Sequence, residues 1–367
     1  MENIFLKKLK ICVLVSNYAT SKHLNGIINE VPNPQTFLSS TFKPPWEWET
    51  RLISKENVFQ QILSLKKLEK FDVYFNLCNG APDDDTAGIE VVKALSFFNL
   101  PYTGCDEKFF SIRKQDQKTI ALATGIYTPR HYFVFAETEI HLASKHLNKY
   151  PLIVKVFNNH ESFGISPKFK CSNFEELYER TVMIIDQYGG ALIEQFIEGR
   201  DFSVMVIENP NKDKIPYSLK PVEIEYNKID SSMNLDAKEM NNKEMKFVSS
   251  ENKALNERLG EMAKKAFVNM HGNGYARVDF RVNENYEIYF IAIIYAPHIF
   301  MPSKFTCSDF ILENDVTFKA EKFIQILIEL ALKEHRMRQT PYCIAFREDV
   351  YGQRCLIATR DIMKGNF

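Results

Sequence analysis

Apolar positions change their spacing twice along the chain. Residues 11–15 form an unbroken apolar run, ICVLV, which reads as a buried strand. After Ser54, a capping candidate, Val58, Ile62, Leu65 and Leu68 recur at helical spacing, and FDVYFNL (residues 71–77) follows as a second buried strand. Strand and helix alternate in this way up to about residue 102, which predicts a small parallel sheet with helices on its faces.

From Gly104 the rhythm differs. HYFVF, YPLIVKVF and ALIEQFI have strand character, and a capping box, Ser172 with Glu175, opens a helix with Phe174, Leu177 and Tyr178 inward. An antiparallel sheet backed by helices is expected. FSVMVIE, PYSLKPVEIE, a helix carrying Leu255, Leu259, Met262 and Ala266, and the hairpin YARVDFRV-NEN-YEIYFIAII make a third unit. Residues 227–250 have no clear period and read as a surface loop. A last helix aligns Phe323, Leu327, Leu330 and Ala331, and the polar segment KEHRMRQTP reads as a linker. The expected division is 1–102, 103–194, 195–335 and 336–367. The fold class is α/β, with α+β character in the two middle units.

Composition narrows the function classes. A chain of 367 residues, 45% hydrophobic and 25% charged, is expected to hold two or three packed units. Its net charge of −1 supplies no global field for nucleic acid or an anionic membrane, so neither partner is expected. No apolar stretch reaches the roughly 18 residues of a membrane span, and the five of residues 11–15 fall short of the ~7–15 of a signal core. Seven scattered cysteines without a Cys-x-x-Cys pair imply neither zinc nor disulfides and fit a cytoplasmic location.

Several residues carry candidate chemistry. Lys155 interrupts the apolar run PLIVKVF, so its ammonium either meets an anion such as phosphate or points to solvent from an alternating strand. The loop FNNHESFGIS that follows combines amides, a hydroxyl and Gly164, a composition suited to close approach of backbone N–H groups to phosphate. APDDDTAGIEVVKAL places carboxylates at a helix entrance, where they serve as caps or face a ligand. In ALIEQFIEGRDFSV, residues 194–197 offer extended backbone, as an adenine edge requires, before a turn at Gly199.

In order and spacing, FDVYFNLCNG, FNLPYTG, KTIALATGIYTPR, YPLIVKV with SFGIS, ALIEQFIEGRDFSV and GYARVDF resemble the ATP-grasp superfamily, and within it the D-alanine–D-alanine ligases, over nearly all of residues 9–335. The resemblance implies a small N-terminal α/β domain before a two-lobed ATP-grasp fold. It implies ATP contacts from Lys114 and Lys155, a phosphate-covering loop with Ser162 and Gly164, and Lys238 in a lid. Glu194 would take the adenine amino group, Gln195 and Ile197 would present backbone to the purine, and Asp201 would hold the ribose. Arg277 matches the arginine that stabilises the tetrahedral intermediate, and Asp279 the first magnesium carboxylate. The implied reaction activates the carboxylate of an amino acid or other small molecule as an acylphosphate, which an amine then attacks. A homodimer is one expected assembly.

The chain departs from that pattern at the metal. Where the family strand supplies Glu-x-Asn and then Pro-Gly, this one reads YFIAIIYAPHIF, so Ala292, Ile294 and His298 replace the acid, the amide and the glycine. Mg²⁺ requires oxygen ligands in near-octahedral geometry, so one ion at most is expected. Cys78-Asn79 stands in place of the family's His-Gly, and SNYATSKHLNG lacks the acid that orients the first amino acid. Two functions follow: an ATP-dependent carboxylate–amine ligase, or an impaired ATP-grasp module that binds nucleotide or serves as a scaffold. The final YGQRCLIATRDIMKG resembles the opening strand and turn of a SET domain; without the remaining SET core, no methyl transfer is expected.

Overall fold

The computed structural model describes residues 7–21, 30–80, 85–157, 170–211, 215–226, 245–303, 306–339, 343–348 and 354–359. Strand β1 (Leu9–Ser16) lies between β2 (Trp46–Ile53) and β3 (Val73–Asn76) in a three-stranded parallel sheet. Both faces of β1 are buried. Cys12 and Leu14 enter a core with Ile62 of α1 (Val58–Leu68) and Val91, Val92 and Leu95 of α2 (Ile89–Phe97). Leu9, Ile11, Val13 and Val15 enter another, completed from the far end of the chain by Phe323, Leu327 and Leu330. That double burial is why residues 11–15 of β1 are apolar at every position rather than at alternate ones.

Strand β2 was not foreseen, because WEWETRLI reads as polar. It is an edge strand, and its charges form a ladder in which Lys10 meets Glu49 at 2.8 Å and Arg51 meets Glu69 at 2.9 Å. Ser54 does not cap α1: a 3-10 turn, Lys55–Asn57, intervenes, and Leu68 is exposed at the last turn.

After α3 (Glu107–Phe110) and α4 (Lys114–Ala123) comes a four-stranded antiparallel sheet in the order β4-β7-β5-β6, from β4 (His131–Val134), β5 (Leu152–Val156), β6 (Lys170–Cys171) and β7 (Ala191–Gln195). Helices α5 (Ile140–Leu147) and α6 (Phe174–Tyr188) back it through Ile140, Ala143, Leu177 and Ile184. The capping box sits one residue later than expected: Asn173 accepts from Glu176 N, while Glu176 takes Ser172 N.

The second antiparallel sheet runs β11-β10-β8-β12-β13, with β9 (Tyr217–Ser218) beside β8 (Arg200–Ile207). Its other strands are β10 (Val222–Tyr226), β11 (Met245–Ser249), β12 (Tyr275–Val282) and β13 (Ile288–Ile294). Residues 245–249, expected to be loop, thus form an edge strand paired to β10. Helix α7 (Lys253–Asn269) packs Leu255, Leu259 and Ala266 against Phe202, Val204, Val278 and Phe280.

Helix α8 (Cys307–Asn314) leads to α9 (Ala320–Gln339), which takes in residues 333–339 of the segment expected to be a linker. Its end is fastened to the N-terminal unit: Arg338 Nη2 donates to Leu100 O at 2.8 Å, and His335 lies 2.9 Å from Asn99 O. Strands β14 (Cys343–Glu348) and β15 (Arg354–Thr359) form a separate hairpin. Among the described residues no helix is long and apolar enough to cross a membrane.

Candidate functional site

Strand alternation builds one part of the site. Leu152, Val154 and Val156 of β5 enter the helix-backed core, which places Ile153 and Lys155 on the opposite face. In β7, Glu194 pairs in register with Ile153 on one side and His131 on the other. Its carboxylate is buried, with Lys155 Nζ 2.6 Å from Oε2 and Lys118 Nζ, from α4, 2.6 Å from Oε1. Lys118 Nζ also donates to Thr128 Oγ1 at 2.8 Å, so its ammonium is shared between that hydroxyl and the Glu194 carboxylate.

These three groups make sense only together. Burial alone would push the Glu194 carboxyl up, but the two ammonium groups outweigh it and hold its pKa below the usual carboxylate range. Burial pulls Lys118 down, with Glu194 opposing. The cluster sets two lysines against one carboxylate, Lys155 being its more accessible member at 12% exposure.

The remaining candidate residues lie on one half-buried face of the second sheet. Alternation along β12 puts Val278, Phe280 and Val282 in the core and Arg277, Asp279 and Arg281 on the opposite face. On β8 the register sets Met205 beside Arg277, Ser203 beside Asp279 and Asp201 beside Arg281; on β13 it sets Ile294 beside Arg277 and Ala292 beside Asp279. Arg277 grips Asp279 through Nε to Oδ1 at 2.8 Å and Nη2 to Oδ2 at 2.9 Å, and Ser203 Oγ donates to Oδ1 at 2.7 Å. Arg281 holds both oxygens of Asp201, at 2.9 and 2.8 Å.

The segment joining the two sheets is pinned from both sides. Gln195 N donates to Arg130 O, Phe196 N donates to Pro151 O, and Arg281 Nε donates to Ile197 O at 2.5 Å. The Phe196 ring has Lys170 4.3 Å and Arg281 4.7 Å from its centroid. The turn at Gly199 has φ of 154°, and a Cβ there would lie 2.1 Å from Val282 O.

The structure therefore places Lys155, Glu194 and Gln195 on one antiparallel sheet, Asp201, Arg277 and Asp279 on the other, and Ile197 in the connection between them. Lys114 Nζ reaches Val156 O at 3.4 Å; the lysine that meets Glu194 with Lys155 is Lys118. Sequence reasoning missed it, although KQDQK places Lys118 one helical turn after Lys114 and on the same face. Ser162, Gly164 and Lys238 lie outside the described residues.

The donors do not fit a metal pair. Asp279 has both oxygens on Arg277, and its neighbours Ala292 and Ile294 offer no lone pair. Among the described residues no three His, Cys, Asp or Glu side chains cluster as metal ligands. His298 packs near Tyr18, ring centroids 6.3 Å apart, and Tyr18 OH donates to Asn79 Oδ1. Burial pushes the Cys78 thiol up to about 12, leaving it inert at neutral pH.

Residues 118–328, more than half of the chain, match the family model described as D-ala D-ala ligase C-terminus. The chain belongs to that family. Curated relatives include the D-alanine–D-alanine ligase of Aquifex aeolicus, 27% identical over 205 residues that cover 54% of this chain and 64% of that protein. The Enterococcus hirae enzyme is 29% identical over 52% of this chain and 50% of its own length, so the chain spans half to just under two thirds of these relatives. The Thermotoga maritima ligase is 25% identical over 74% of this chain and 84% of its own.

Solved structures share the fold. D-alanyl-alanine synthetase A of Vibrio cholerae superposes with a TM-score of 0.68 at 19% identity, over 89% of this chain and 99% of that one. The D-alanine–D-alanine ligase of Bacillus anthracis, solved with ATP, superposes with a TM-score of 0.64 at 16% identity, over 90% and 99%. The ATP-grasp expectation and the mixed α/β class agree with both.

Proposed function

We propose that this member of the D-ala D-ala ligase family binds ATP between its two antiparallel sheets and uses it for ATP-dependent ligation of a carboxylate to an amine. The observation that carries the reading is buried Glu194, flanked by Lys118 and Lys155 at 2.6 Å each. A buried carboxylate held ionised beside extended backbone is suited to an adenine amino group. Two lysines against that one carboxylate suit the anionic part of the nucleotide. Residues 195–197 would flank the purine, Asp201 the ribose, and Lys155 with Lys114 the phosphates. Ser162, Gly164 and Lys238 belong to the same reading as covering groups.

In the ligation step a carboxylate oxygen attacks the γ-phosphorus and ADP leaves, and the amine then attacks the acyl carbon of the acylphosphate, losing a proton as inorganic phosphate departs. Arg277, fixed in orientation by Asp279, would face negative charge developing on the acyl oxygen. An amino acid or other small carboxylate is the expected partner, in a cytoplasmic protein able to form a homodimer.

A second reading is favoured by one observation. Ala292 beside Asp279 and Ile294 beside Arg277 leave a divalent ion without a protein cage, which suits a nucleotide-binding or scaffold module lacking turnover, next to the SET-like segment YGQRCLIATRDIMKG. Phosphate release measured with ATP, Mg²⁺ and a panel of D- and L-amino acids separates the two. Amino-acid-stimulated release supports the ligase; its absence under all conditions, with ATP still bound, leaves the module.

A further inference from the structure

The carboxylate that the family pattern assigns to a metal is spent on a guanidinium. Asp279 accepts twice from Arg277 and once from Ser203. A carboxylate offers about four lone-pair directions, so roughly one remains. Ala292 and Ile294, the residues level with Asp279 and Arg277 on β13, add none. Mg²⁺ recruited here would rest on phosphate and water oxygens alone. It would also approach a fixed positive charge, since Arg277 is locked in place by the anion the ion needs.

From this disagreement between family pattern and donor set, we infer that the cleft binds its triphosphate without a protein-anchored metal ion, Arg277 supplying positive charge at the phosphate end. The inference rests on the nucleotide reading above. Arg277 lies on the same strand face as Arg281, two positions from Asp279, and its side chain is 21% exposed. The other antiparallel sheet and α4 bring two lysines, Lys118 and Lys155, to the single carboxylate of Glu194. Metal-free ATP carries two more negative charges than its Mg²⁺ complex, so a cleft whose cations are all side chains favours the bare anion or is indifferent between the two.

Calorimetric titration of the full chain with ATP, once in EDTA and once in excess Mg²⁺, tests this. The dissociation constant in EDTA is expected within threefold of that in Mg²⁺, or tighter. Binding at least tenfold tighter in Mg²⁺ overturns the inference and leaves the nucleotide reading standing; no binding in either buffer overturns both. Arg277→Gln is expected to weaken binding in EDTA at least tenfold, and unchanged affinity in a folded variant overturns the role given to Arg277. Ala292→Glu with Ile294→Asn restores donors beside Asp279. That double variant is expected to bind ATP at least tenfold tighter in Mg²⁺ than in EDTA, and a folded double variant still indifferent to Mg²⁺ overturns the assignment of metal independence to the missing donors.

Discussion

Lys118 and Glu194 meet at 2.6 Å with side-chain exposures of 2% and 1%, so each is the other's main compensation for leaving water. Lys155 shares the carboxylate from a position 12% exposed, where water can reach it. The two lysines should therefore behave differently. Lys118→Met leaves Glu194 buried with one cation and is expected to cost about 3–5 kcal/mol of stability. Lys155→Met is expected to cost less and to weaken ATP binding more. Urea denaturation and calorimetry on both variants check this, and a Lys118→Met cost below about 1 kcal/mol refutes the pairing as a structural element.

Asp309 gives a pH signature of opposite sign to the usual carboxylate. It is fully buried at the start of α8 and accepts from Phe300 N at 2.5 Å, Met301 N at 3.1 Å and Thr306 Oγ1 at 2.8 Å, holding Phe300 at φ of 61°. Burial pushes its pKa up to about 6 against those donors. An unfolded Asp titrates near ~3.9, so the native state holds the proton more tightly between the two values. Its contribution is fully present below pH ~4 and is lost as pH rises through about 6. Asp309→Asn removes this titration and leaves a backbone donor poorly matched, at a cost of about 1–3 kcal/mol. The stability advantage of the wild type over the variant is expected to be largest near pH 4 and to shrink toward pH 7 in chemical denaturation. An advantage that grows with pH refutes the assignment.

Local pattern and cleft geometry differ in how far the sequence exposes them. β1 and the hairpin of β12 and β13 are legible because burial on two faces, or on alternate positions, writes directly into apolar spacing. β2 and β11 are not, because edge strands carry charges that suppress the signal. α9 outruns its apolar stripe because its last turn is fixed by Arg338 and His335 contacting residues 99 and 100, a long-range relation that no local window contains. Likewise Lys155 was ambiguous until Glu194 appeared opposite it, and Lys118 carried no mark beyond its helical step from Lys114. The loss of metal donors at Ala292 and Ile294 was readable, but the capture of Asp279 by Arg277 needed the fold.

Gly199 ties backbone geometry to the cleft. A Cβ at this position meets Val282 O at 2.1 Å, and the φ of 154° is one that L residues rarely adopt. Gly199→Ala must push β8 away from the end of β12, where Arg281 reaches Ile197 O and Asp201. A stability loss of about 1–3 kcal/mol is expected, with weaker ATP binding because residues 195–197 move with the turn. Thermal melting and nucleotide titration check both; wild-type values in each would show that the turn does not position the connection.

The end of α9 offers a test of whether residues 336–339 are structure or spacer. Arg338 lies 5.1 Å over the Tyr102 ring and donates to Leu100 O, so its charge is engaged by both a π face and a carbonyl. Arg338→Ala removes both and is expected to cost about 1–2 kcal/mol, since neither contact is fully desolvated. The loss should be local. Hydrogen exchange at the last turn of α9 is expected to accelerate strongly, while the turns carrying Phe323 and Leu327 keep the protection of the core they share with β1. Wild-type exchange at the last turn as fast as in an unstructured peptide would mean that this segment behaves as a spacer and that its contacts with residues 99–102 do not hold it.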